Sequence, residues 1–123
     1  MAGLKFSMKF NDQNIRRIQK AASEALFLTM EEVHTNVVQA RVMPFDNGTM
    51  QNDSTFVKKI NDTHVSLITS TPYAQRLYFH PEYDFGKASN PNAQGRWLDE
   101  WISGSKREWV QDTFNDLLKE KLT

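Results

Sequence analysis

Apolar and small residues recur at Ile15, Ile18, Ala22, Ala25, Leu26, Met30, Val33, Val37 and Ala40. Steps of three and four draw one stripe along a helix. Asn11-Asp12 offers a short side-chain oxygen to the free N–H groups at its start. Pro44 stops it, and Met43 is pushed toward extended geometry. The spacing predicts a helix over about 11–41, about 45 Å long at 1.5 Å per residue. That exceeds the width of a small domain, so either the helix bends or something else covers part of it. Phe27 and Leu28 lie partly off the stripe and mark a second apolar face.

Residues 44–54 are rich in Asn, Asp, Gly and Ser and read as a loop. The runs Ser54–Ile60 and His64–Ser70 flank Asn61-Asp62-Thr63 and predict a β-hairpin over about 54–70, on β-branched enrichment and partial alternation. Phe56 and Ile60 share one parity, as do Val65 and Leu67 on the other strand. Residues 72–79 fit either a short helix with Pro72 at its first position or a third strand, and His80-Pro81 ends both. Residues 80–95 form a long loop, and loops of that length tend to be functional or ordered by a partner. Trp97, Leu98, Trp101 and Ile102 predict one or two helical turns, broken at Gly104. Ser105 and Glu108 match a capping box opening a last helix that carries Trp109, Val110, Phe114, Leu117, Leu118 and Leu122; the C-terminal helices span about 96–121. The chain is thus expected to be a single α+β domain over 1–123, with a long N-terminal helix and a C-terminal helix packed on a small, mainly antiparallel sheet.

Composition narrows the function. The 123 residues suit one core, and 39% hydrophobic with 24% charged is ordinary globular content. Fifteen Lys and Arg balance fifteen Asp and Glu, which argues against a general nucleic-acid binder. Absence of cysteine removes disulfides, thiolate metal sites and a cysteine nucleophile, and fits a reducing compartment. No signal peptide and no membrane span are expected. The N-x-Ser/Thr sites at Asn47, Asn52 and Asn61 read as turn chemistry.

The sequence offers little catalytic chemistry. His34, His64 and His80 stand in no metal-ligand spacing. His80, Glu82 and Asp84 would be the ligands of a small metal-dependent hydrolase, but with no second ligand cluster local hydrogen bonding is the better reading. Glu31-Glu32 and Asp99-Glu100 are adjacent pairs that diverge on a helix. No nucleophile elbow, phosphate loop or dinucleotide fingerprint appears, and Arg16-Arg17, Lys58-Lys59 and Lys106-Arg107 are scattered. No catalytic residue, metal ligand or cofactor-binding residue is assigned, and no cofactor is expected. What stands out is aromatic density: Tyr73, Tyr78, Phe79, Tyr83, Phe85, Trp97, Trp101 and Trp109. The three tryptophans read as core. Tyr78, Phe79, Tyr83 and Phe85, set among turn formers, read as a protein–protein surface.

The run Tyr73-x-x-x-Leu77-Tyr78-x-His80-Pro81-Glu82-Tyr83, followed by Asn90-Pro91-Asn92-Ala93-Gln94-Gly95-Arg96-Trp97, resembles the minor capsid proteins of long-tailed bacteriophages. Upstream, Pro44-x-Asp46-x-Gly48-Thr49-Met50 is similar to a pattern of the broader head–tail connector and tail-completion superfamily, with Met50 where that superfamily usually has Leu. The element order matches as well, so the resemblance covers most of the chain. It implies a structural protein of the virion neck, assembled in the host cytoplasm as a sixfold homo-oligomeric ring, between neighbouring neck and tail proteins and around the DNA channel. Tail completion is the expected station, head closure or tail termination the alternatives. Sequence-specific DNA binding, catalysis and membrane contact are not expected. By the same resemblance, Pro44, Asp46 and Gly48 shape the loop leaving the long helix. Pro72, Tyr73 and Ala74 position the entry to the second loop, and His80, Pro81, Tyr83, Asn90 and Pro91 shape that loop. It is longer than the corresponding turn of the broader superfamily.

Overall fold

The computed structural model describes residues 3, 11–45 and 49–123. Helix α1 runs from Asp12 to Ala40. Asn11 caps it, its Oδ1 accepting from the Asn14 N–H at 3.1 Å. The helix ends before Pro44 is reached. Arg41 adopts a left-handed conformation, φ 55°, and its N–H returns to the Val38 carbonyl, so backbone reversal and not proline closes the helix.

The expected loop over 44–54 is partly helical: Thr49–Asp53 forms a single π-helical turn. Met50 within it is buried, and Thr55 Oγ1 donates to the Met50 carbonyl at 2.6 Å. Asp46 and Gly48 lie outside the described residues, as does Asn47. Strands β1 (Thr55–Asn61) and β2 (His64–Thr69) pair antiparallel as a two-stranded sheet. Asn61 Oδ1 accepts from both the N–H and the hydroxyl of Thr63, so this side chain closes the turn. Val57 stands opposite Leu67 and Lys59 opposite Val65, with an irregularity between Lys59 and Asn61. Val65 is buried and Leu67 packs on the core, whereas Phe56 and Ile60 are exposed. One sheet face therefore lies on α1, and the other is open.

Of the two readings of 72–79, the helix is the one formed: α2 spans Ala74–Tyr78. Pro72 precedes it, and Tyr73 holds the N-cap position, so proline is not its first helical residue. Helix α3 covers Asp99–Ile102 and α4 covers Arg107–Leu122. The capping box does not form. Lys106 holds the cap position, and the Ser105 hydroxyl is drawn instead to the Glu100 carboxylate at 2.6 Å. Helix α4 runs antiparallel along α1: Trp101 Nε1 donates to Asn36 Oδ1 at one end, and Arg17 donates to the Leu122 carbonyl at the other.

The core gathers at the C-terminal end of α1. Val33, Val37, Val42, Met43 and Met50 pack with Ala74, Trp97 and Trp101. Trp109, expected inside with the other tryptophans, is 36% exposed, and α4 has no fully buried residue. Among the described residues no helix is long and apolar enough to cross a membrane.

Candidate functional site, an aromatic loop

The long loop over 80–95 carries no helix or strand, yet it is fastened at many points. Asn90 is buried, and its Nδ2 donates to the Met43 carbonyl at 2.8 Å and to Gln51 Oε1 at 2.7 Å. Asn92 Nδ2 donates to the Ala40 carbonyl at 3.0 Å, and the Gln94 N–H to the Val42 carbonyl at 3.0 Å. The Ala40 carbonyl is one that the end of α1 leaves without an intrahelical partner, and Val42 and Met43 follow in the segment just beyond the helix. Gly95 is buried, and a Cβ there would stand 2.6 Å from the Pro81 Cα, so the two ends of the loop touch backbone to backbone. Pro91 follows the Asn90 clasp on the surface.

The loop closes on a second cluster. Arg96 is left-handed, φ 49°, a conformation rare outside glycine. Three contacts hold it there. Its N–H donates to the Tyr78 carbonyl at 2.8 Å, its Nε to Asp99 Oδ2 at 2.7 Å, and its guanidinium lies 5.8 Å from the centroids of both Tyr78 and Phe79. The Tyr78 hydroxyl donates to Asp99 Oδ1 at 3.0 Å, and its ring meets Trp97 edge-on at 4.8 Å. Burial first, then the bond to Asp99, pushes the Tyr78 phenol up to about 12. The Arg96 hydrogen bond holds the Asp99 carboxyl below its ordinary value. Tyr78, read from sequence as a surface anchor, is thus turned inward and half-buried.

Its neighbours face out. Phe79 is 56% exposed, Tyr83 41% and Tyr73 39%. The His80 and Tyr83 rings stack at 4.8 Å, and Phe85 lies 6.4 Å from Tyr83. His80 Nδ1 meets Glu82 Oε1 at 2.7 Å, and this bond lowers the Glu82 carboxyl. Asp84 does not join them: among the described residues no group of three or more His, Asp or Glu side chains converges as a metal site.

The arrangement presents exposed rings on a pinned backbone, the form of a docking surface. The sequence pattern gives roles to Phe79, Tyr83 and Asn90; Gly95 and Arg96 appear in it only as members of a run and Asp99 only as one of a diverging pair, and Gln51 is not marked at all. An arginine at positive φ leaves no mark in a sequence, and the Asn90–Gln51 pairing spans 39 positions. No family model, curated protein or solved structure matches the chain.

Proposed function

We propose that the protein is a structural component of a long-tailed phage neck, a tail-completion protein that joins tail to head as a sixfold ring around the DNA channel. Head closure and tail termination are alternative stations for the same ring geometry. The observation that carries the reading is the aromatic loop: Phe79 and Tyr83 stand exposed on a backbone clasped by Asn90, Gly95 and Arg96. Rings held this way lose little entropy on docking, which is how a small contact becomes a specific one. A second observation agrees. The first ten residues of the α1 region, 11–20, are all exposed and include Ile15 and Ile18, so each copy offers a second, different apolar surface. Two unlike surfaces on one chain are what a head-to-tail ring requires. A formal charge of zero suits a channel through which DNA must slide.

The test is quantitative peptide mass spectrometry on purified particles of the parent phage, with copy number referenced to the portal. Copies on the scale of one ring support the assignment; absence from finished particles overturns it. A Phe79→Ser, Tyr83→Ser double variant should keep its thermal midpoint as isolated protein yet leave heads and tails unjoined.

A further inference from the structure

A cleft of about 680 Å³ runs between the N-terminal half of α1 and the hairpin, with Arg16, Lys20, Ser23, Glu24, Lys59 and Asp62 in its walls. Two of its charges are matched by a third and a fourth. Lys59 pairs with Asp62 at 3.3 Å, and Glu24 with Lys121 of α4 at 3.2 Å. Arg16 and Lys20 are exposed and have no ion-pair partner among the described residues. Ser23 beside them is 7% exposed, and its hydroxyl has no hydrogen-bond partner among the described residues. Two unmatched cations and an unused donor call for a carboxylate.

Helix α4 carries carboxylates in a row. Glu108, Asp112, Asp116 and Glu120 recur every four residues along it. All four are exposed, and none has an ion-pair partner among the described residues. Lys119 is the one cation set into the row, and Trp109, 36% exposed, stands on the same face. The apolar side of α4 is turned to α1, with Val110 packed on the core. Asp112 and Asp116 therefore point outward, away from the cleft of their own chain.

We propose that the acidic row of α4 in one copy docks on the Arg16–Lys20 wall of the cleft in the next copy. The inference deepens the ring reading and rests on it: a row that cannot meet its own cleft, but fits a neighbour's, makes a head-to-tail contact. The spacing matches. Asp112 and Asp116, like Arg16 and Lys20, are four helical residues apart, a rise of about 6 Å, so two ion pairs form side by side. The overall balance fits as well. A formal charge of zero, divided between an acidic face and a basic one, gives every copy both halves of the contact. Exposed ion pairs are individually weak and are screened by salt. The contact is therefore weak between two free copies and gains strength when several are made at once in a closed ring.

The test is a charge swap in the full chain, read by sedimentation velocity at low salt over a concentration series. Asp112→Lys with Asp116→Lys puts cations on both surfaces, and Arg16→Asp with Lys20→Asp puts carboxylates on both. All four sites are exposed, so each double variant should keep the wild-type thermal midpoint. Each alone should associate more weakly than wild type by about tenfold or more, because like charges then face each other. Mixed in equal amounts, or combined in one chain, the two should recover the wild-type association, since each supplies the complement of the other. Wild-type association that neither variant weakens overturns this contact and leaves the ring itself standing. Weakening with no recovery in the mixture overturns it too. So does a wild-type chain that stays monomeric at every concentration, and the copy number in particles then still decides the neck reading on its own.

Discussion

The two ends of helix α1 carry the same sequence pattern and meet opposite fates. Toward the C-terminus, Val33 and Val37 are buried against Met43, Trp97 and Trp101. Toward the N-terminus, Ile15 and Ile18 continue the stripe and stand 37% and 46% exposed. Intrinsic helix preference does not separate them, because both stretches form good helix. What separates them is what the rest of the chain brings. The C-terminal half is roofed by the π-helical turn, α2 and the Trp97–Trp101 segment, all returned by the clasped loop. The N-terminal half has the hairpin turn on one side and the end of α4 on the other. Periodicity reports which face of a helix is apolar. It does not report how far along the helix a cover extends.

One truncation at each end of α1 tests this difference most directly. Trp97→Ala removes a ring that is 3% exposed and touches Tyr78, and should cost about 3–5 kcal/mol in urea denaturation. Ile18→Ala, on the same helix stripe, should cost the isolated chain less than about 0.5 kcal/mol. Comparable losses at both sites would mean that the N-terminal half is as fully covered as the C-terminal half.

The same contrast measures what could be read in advance. The α+β class, the extent of α1, its Asn11 cap and the hairpin were legible, because each rests on contacts only a few residues apart. The misread details were local signals overruled by distant ones. Ser105 has the chemistry of a cap, but its hydroxyl donates to Glu100, five residues back, and α4 opens one residue later, with Lys106 at the cap position. Trp109 has the composition of a core residue, but α4 lies on the surface of α1 with no further layer above it. The loop was legible only as something long and aromatic. Its order comes from Asn90, whose partners lie 47 and 39 positions away. Removing that clasp should give the next largest effect. Asn90→Ala leaves the Met43 carbonyl and Gln51 without their donor in a buried place, at a cost of about 1–3 kcal/mol. Hydrogen exchange should then rise across residues 80–95 before it rises in α1. Uniform exchange over the whole chain would show the loop and core to be one cooperative unit.

The smallest expected effect comes from the Tyr78–Asp99–Arg96 group, and it has a signature at each end of the pH scale. Asp99 is depressed below its ordinary 3.8, first by the Arg96 hydrogen bond. A carboxyl that binds its proton less readily when folded adds stability above that value and loses it as the pH falls through and below it. Tyr78 is raised from 10.0 to about 12. The folded chain then holds a phenolic proton that the unfolded chain releases at 10, so its contribution stands below pH 10 and is lost between about 10 and 12. Urea midpoints for the wild-type chain and for Asp99→Asn, compared across this range, isolate both arms. Asp99→Asn should abolish the acidic difference and weaken the alkaline one, because desolvation of Tyr78 persists without the carboxylate while the bond and charge of Asp99 are gone. Parallel curves for the two proteins at every pH would mean that Arg96 is held at its positive φ by the backbone bond to Tyr78 and the aromatic faces alone.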